Sequence, residues 1–125
     1  MARTQKQKAT QTHAVSLVTL TNPSSPIAEQ YRTIRTNIQF ASAAGQQIKT
    51  IVVTSSGPGE GKSTTAANIA VVFAKSGQRV LLVDADLRKP VIYKTFKLNN
   101  ASGLSTVLSS SGSVADEIQR TPVEN

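Results

Sequence analysis

The sequence predicts an α/β fold in which a parallel sheet carries helices on both faces. Three observations predict it. The apolar run Ile51-Val52-Val53 leads into a glycine-rich turn, Thr54 to Gly61, which closes on Lys62-Ser63. A run of small residues, Ala66-Ala67-Asn68-Ile69-Ala70, follows at a helical length. A second continuous apolar run, Val80-Leu81-Leu82-Val83, comes after Ser76-Gly77. Strand, helix, strand at this spacing is a right-handed βαβ unit. A glycine-rich turn between strand and helix makes the class P-loop NTPase-like. Only two strands are legible in the 125 residues, and continuous apolar strands expect cover on both faces. The sheet is therefore expected to be incomplete at its C-terminal side.

Residues 1–22 are rich in Thr, Gln and Lys and are expected to form a flexible N-terminal arm. Within it, Ala14 to Val18 reads as a short β-like run. Residues 23–125 are expected to be the domain portion. Ser25 can cap a helix and Pro26 suits its first position, so a helix is predicted from residue 26 to about Ala44, stopped by Gly45. Ile27, Tyr31, Ile34 and Ile38 share one face, which is expected to pack on a core. Glu29, Arg32 and Arg35 recur every third residue as a charged stripe. Such a stripe is either a solvated face or an interface between subunits.

The loop has the residue types that phosphate chemistry needs. Gly57, Gly59 and Gly61 allow a tight turn and bring backbone N–H groups close to phosphate oxygens. Glu60 and Thr64 lie in the same stretch and belong to the predicted nucleotide-binding set. The helix starting near Gly61 adds its positive dipole end. Lys62 can reach the terminal phosphates and the Ser63 hydroxyl can ligate Mg²⁺. The full pattern has a Gly six places before the Lys, where this chain has Ser56.

Residues 62–76 are predicted helical, with Ala66, Ala67, Ile69, Ala70 and Phe73 suited to close packing on a sheet. The second strand delivers Asp84-Ala85-Asp86-Leu87-Arg88-Lys89-Pro90 at its carboxyl end, the edge where open α/β sheets place ligands. Asp84 and Asp86 can hold Mg²⁺ through oxygen, and one of them can accept a proton from an attacking hydroxyl. Alternatively, both are turn formers and caps. Short helices are expected near residues 91–97, 104–108 and 114–120, with a Ser-Gly linker at 109–113.

Composition excludes several classes. There is no Cys, hence no disulfide framework, and the one His13 has no second ligand nearby. No stretch approaches the apolar length of a membrane span, and the N-terminus lacks the apolar region of a secretory signal. The net charge of +7 is spread over scattered Lys and Arg with few aromatics, so no nucleic-acid partner is expected.

Three segments together resemble the bacterial tyrosine kinases of capsular and exopolysaccharide synthesis, which are of the P-loop type. Ser25 to Arg35 is similar to that family's Glu-x-x-Arg-x-x-Arg oligomerisation helix. Ser55 to Ser63 is similar to its Walker A loop, and Val80 to Pro90 to its second, A′ motif. The resemblance implies an autophosphorylating, ATP- and Mg²⁺-dependent protein-tyrosine kinase. It implies catalytic roles for Lys62, Asp84 and Asp86, metal ligation by Ser63, Asp84 and Asp86, and a homo-oligomer formed through Glu29, Arg32 and Arg35. It also implies a transmembrane activator or adaptor as partner, and hence a cytoplasmic protein held at the inner face of the membrane. The family's Walker B strand and its tyrosine-rich tail are not in this sequence, whose tyrosines are Tyr31 and Tyr93. Two alternatives share the loop: an ATPase switch of the kind that positions division sites or segregates DNA, and an inactive assembly fragment. The switch proteins carry a second lysine five places before the loop Lys, where this chain has Gly57.

Overall fold

The computed structural model describes residues 13–42, 45–110 and 112–125. Its helices are α1 (Val18–Thr21), α2 (Pro26–Ala41), α3 (Lys62–Lys75), α4 (Ile92–Thr95), α5 (Leu104–Ser109) and α6 (Val114–Glu117).

Helix α2 starts as its sequence dictates. The Ser25 Oγ accepts a hydrogen bond from the Ala28 N–H at 3.1 Å, and Pro26 sits in the first turn. Ser25→Ala is expected to lower stability by about 1 kcal/mol, read as a shift in the denaturant midpoint. The predicted end at Ala44 lies outside the described residues; the described helix ends at Ala41, capped by Ser42. The predicted apolar face does not pack as a unit. Ala28 is fully buried, whereas Ile27 and Ile34 are 56% and 40% exposed. The helix packs on α1 and α3, and Ala28 is its buried residue. Ile27 and Ile34 are left exposed.

Helix α3 is the centre of the core. Ala67, Val71, Val72, Phe73 and Ala74 are buried on it, and Gly77 ends it in a left-handed conformation at φ 91°. Ala66, Ile69 and Ala70, also expected to pack closely, are half-buried. Leu17, Ala67, Val71, Ile92 and Phe96 form one buried cluster, ringed by Val15, Leu20, Leu82, Val91, Leu98 and Val123.

Part of the predicted arm belongs to this core. Within residues 13–22, the expected β-like run is an irregular segment followed by the single turn α1, and Leu17 and Thr19 are buried. Residues 1–12 lie outside the described set. Leu17, with Val15 and Leu20 packed beside it, and a buried hydrogen-bond partner on α3 outweigh the polar composition of the segment.

No strand is present among the described residues. The predicted strands at 49–54 and 79–84 are irregular runs without a ladder. Along the second, Val80, Leu82 and Asp84 are half-buried and alternate with exposed Leu81 and Val83. Val52 is 82% exposed on the first. One face of the second run is thus covered while Leu81 and Val83 on the other are bare. β-branched residues favour an extended backbone locally, but a ladder needs a neighbour to accept its N–H groups. Val80 N–H finds one in the carbonyl of Asn125 at 2.7 Å.

The predicted helical turn near residue 91 is α4. The short helices near 104 and 114 are α5 and α6, the latter ending at Glu117 rather than Arg120. The Gln119 side chain closes this last segment. Its Nε2 donates to the Asn99 carbonyl at 2.8 Å, and its Oε1 accepts from the Asn99 N–H at 3.1 Å.

Candidate phosphate-binding site

The loop from Thr54 to Gly61 hands the chain to α3 through Gly61, whose φ of 83° is left-handed and whose carbonyl accepts the Thr65 N–H at 2.9 Å. Gly59 has a φ of 72°. These two positions need glycine for conformation. Gly57 has no such requirement: a Cβ there meets the Glu60 Oε1 at 3.5 Å, an ordinary contact. Ser56, which replaces the usual early glycine, donates from its hydroxyl to the Glu60 carboxylate at 3.3 Å. The Glu60 side chain is thereby engaged within the loop. Ser55 donates to the Gly57 carbonyl at 2.8 Å. Lys62, Ser63 and Thr64 form the first turn of α3, half-buried, where the dipole favours an anion.

The two A′ aspartates have different environments. Asp84 shapes the loop. Its Oδ2 accepts the N–H groups of Val91 and Ile92 at 3.1 and 3.2 Å, at the start of α4, and its Oδ1 accepts the Asp86 N–H at 3.1 Å. The turn-and-cap alternative describes it well. Asp86 accepts from Lys89 N–H at 3.0 Å and from Arg88 N–H at 3.3 Å. The Lys89 amide first, then the Arg88 amide and the charges of Lys62 and Lys89, hold its carboxyl below the ordinary value of 3.8, against desolvation, which raises it and is second in size only to the Lys89 amide. The Lys62 charge is one of the lesser causes that lower the Asp86 pKa. Because the folded pKa is depressed, Asp86 contributes to stability above pH 3.8, and the contribution is lost as pH falls through its folded value. Carboxyl carbon NMR is expected to show Asp86 titrating below 3.8, and rising when Lys62 is replaced by Met.

The donor set suits Mg²⁺, which takes oxygen ligands and keeps several waters. The Ser63 hydroxyl and the ionised Asp86 are the fitting donors, with Asp84 behind them already accepting three backbone N–H groups. Among the described residues no group of three or more His, Cys, Asp or Glu side chains gathers to hold a metal. Any ion here would take its remaining ligands from phosphate oxygens and water.

The charged stripe on α2 divides. Arg32 pairs with Glu29 of its own chain at 2.6 Å and donates to the Pro23 carbonyl at 2.8 Å, on the exposed side. Arg35 turns inward. Its Nη1 donates to the Val72 carbonyl at 3.2 Å, one of the carbonyls in the last turn of α3, while its buried Nε has no partner. Arg35 is thus a cationic cap on α3. Arg35→Ala is expected to lower stability by about 1 kcal/mol, seen in the unfolding midpoint. An unchanged midpoint contradicts the capping role.

Sequence reasoning missed Asn68. It is fully buried and uses all of its hydrogen-bonding capacity. Its Oδ1 accepts the Thr19 N–H at 3.1 Å and the Thr19 hydroxyl at 2.8 Å. Its Nδ2 donates to the Ser16 and Thr64 carbonyls at 2.8 and 2.9 Å. The signal was available: a single amide inside the run of small apolar residues that follows the loop.

Residues 51–118 match the family model of the CobQ/CobB/MinD/ParA nucleotide binding domain. The chain is 54% identical over 104 residues to a protein named tyrosine-protein kinase YwqD of Bacillus subtilis (strain 168), a match covering 83% of this chain and 44% of that protein. It is 43% identical over 103 residues to a putative tyrosine-protein kinase CapB of Staphylococcus aureus, covering 82% and 45%. Among solved structures it is similar to the chimerical protein CapA2B2, with a TM-score of 0.78 and 42% identity over 90% of this chain and 50% of that one. The chain spans about half the length of the relatives it matches, and the fold is P-loop NTPase-like.

Proposed function

Because the chain belongs to the CobQ/CobB/MinD/ParA nucleotide-binding family, we propose that it is the nucleotide-binding portion of a protein-tyrosine kinase that regulates capsular or exopolysaccharide synthesis and uses ATP and Mg²⁺. The observation that carries this reading is the left-handed turn at Gly59 and Gly61 that delivers Lys62 and Ser63 to the first turn of α3, inside the stretch that matches the nucleotide-binding family model. The backbone amides around Gly59 and Gly61 cradle phosphate oxygens. The Lys62 ammonium neutralises charge on the transferred γ-phosphoryl group. Asp86 accepts the proton of a tyrosine hydroxyl as that oxygen bonds to the γ-phosphorus, while the bond to the β–γ bridging oxygen breaks and ADP leaves. Ser63 and Asp86 would hold Mg²⁺, which supplies charge neutralisation across the β- and γ-phosphates. Asp84 acts through the loop it caps. Catalysis of this kind is positioning and charge stabilisation.

The same reading takes the runs at 49–54 and 79–84 as strands of a parallel sheet completed by further strands. The bare side chains of Val52, Leu81 and Val83 support it. Slow amide exchange of these residues in the full natural protein is the expected result. It also takes the outer face of α2, where Glu29 and Arg32 stand beside exposed Ile27 and Ile34, as the surface that meets a second copy. A transmembrane adaptor is the proposed tether to the membrane. The ATPase-switch alternative is not favoured: Gly57 stands where its second lysine would be, and the relatives carry kinase names. Incubation with labelled ATP, Mg²⁺ and the adaptor tests the proposal. Label on tyrosine is expected, and hydrolysis with no phosphotyrosine would contradict it.

A further inference from the structure

We propose that Val15 to Thr21 is a strap that sets the distance between the two walls of the nucleotide site, with Asn68 as its positioning residue. The inference depends on the nucleotide reading above and adds a control element to it. One wall is the first turn of α3, which carries Lys62 and Ser63. The other is the loop from Asp84 to Ile92, which carries Asp86 and is fastened to α4 by the Asp84 carboxylate. The strap touches both. Asn68 Nδ2 binds the strap carbonyl of Ser16 and the carbonyl of Thr64, next to Ser63, with one amide group. Thr19 donates twice to the same side chain. On the other side, the Val15 N–H donates to the Thr95 Oγ1 of α4 at 3.1 Å. Between these anchors Leu17 is buried in one cluster with Ala67 and Val71 of α3 and Ile92 and Phe96 at α4. Lifting the strap would open three hydrogen bonds at Asn68, two of them buried, and remove the apolar wedge between the walls. A fully satisfied buried polar network of this kind fixes one geometry, because every partial arrangement leaves desolvated groups unpaired.

The strap also packs against α2 through α1. A partner that shifts α2 would therefore act on the site through the strap, with no contact to the nucleotide.

The test is ATP affinity, measured with a fluorescent ATP analogue well below the melting midpoint, for the unsubstituted protein, Thr19→Val, Thr19→Ser and Thr95→Val. Thr19→Val keeps the shape and loses the hydroxyl; it is expected to weaken affinity by about three- to tenfold. Thr19→Ser restores the hydroxyl and is expected to restore affinity. Thr95→Val cuts the opposite anchor and is expected to weaken affinity in the same direction, which keeps the proposal testable if Thr19→Val fails to fold. A lowered melting midpoint with unchanged affinity in both valine variants would reduce the strap to a structural element and overturn the proposal. If the unsubstituted protein binds no ATP, the nucleotide reading itself fails and the strap's role falls with it.

Discussion

Replacing Lys62 with Met is expected to lower phosphoryl transfer by roughly a hundredfold or more while leaving the fold intact. The side chain leaves the first turn of α3, and its charge is among the causes that lower the Asp86 pKa. Three effects are lost together. The charge that neutralises the transferred phosphoryl group goes, and with it an interaction that strengthens as the transition state forms. Asp86 loses a cation that helps to keep it ionised. The loop's amides remain, so residual nucleotide binding is expected to persist. Methionine has similar length and adequate helix propensity, and the helix content by circular dichroism should not change. Steady-state transfer and ATP binding, measured on the same preparation, check this. A fall in binding and transfer by the same small factor would mean that Lys62 contributes only to uniform binding.

The largest stability effect outside the loop is expected at Asn68. Asn68→Ala removes an amide that saturates Thr19 N–H, Thr19 Oγ1 and the carbonyls of Ser16 and Thr64. The site is fully buried, so water does not replace the lost partners without opening the strap. Each unsatisfied buried group costs about 1 to 3 kcal/mol. The Thr64 carbonyl is spared in part because it sits in the helical ladder. A total of about 3 to 4 kcal/mol is reasonable, near the upper end for single substitutions. That corresponds to a drop in melting temperature on the order of 10 °C. Thermal unfolding by circular dichroism measures it, and a shift of only a degree or two would contradict the network's importance.

What was legible in the sequence was local. The cap at Ser25, the glycine turn through Gly59 and Gly61, the start of α3 at Lys62 and its end at Gly77 each depend on a few neighbouring residues, and the structure places them as read. What was not legible depended on distant partners. Polar composition made residues 13–22 look like an arm, because nothing near them in sequence announces Asn68, 49 residues from Thr19. Arg35 reads as one member of a surface stripe until the α3 carbonyl of Val72, 37 residues away, is in view. Asp84 and Asp86 look equivalent in the chain, yet the start of α4 takes up the Asp84 carboxylate while Asp86 lies in the field of Lys62. The two apolar runs read as strands, but a ladder is a property of two runs, and none joins them among the described residues.

The account's central claim is that the phosphate loop and Asp86 serve one Mg²⁺-nucleotide. Calorimetric titration of ATP, with and without Mg²⁺, into the unsubstituted protein and Asp86→Asn tests it most directly. The expected result is that Mg²⁺ tightens ATP binding to the unsubstituted protein, and that Asp86→Asn keeps Mg²⁺-free binding but loses most of that gain. An equal gain from Mg²⁺ in both proteins would contradict the claim.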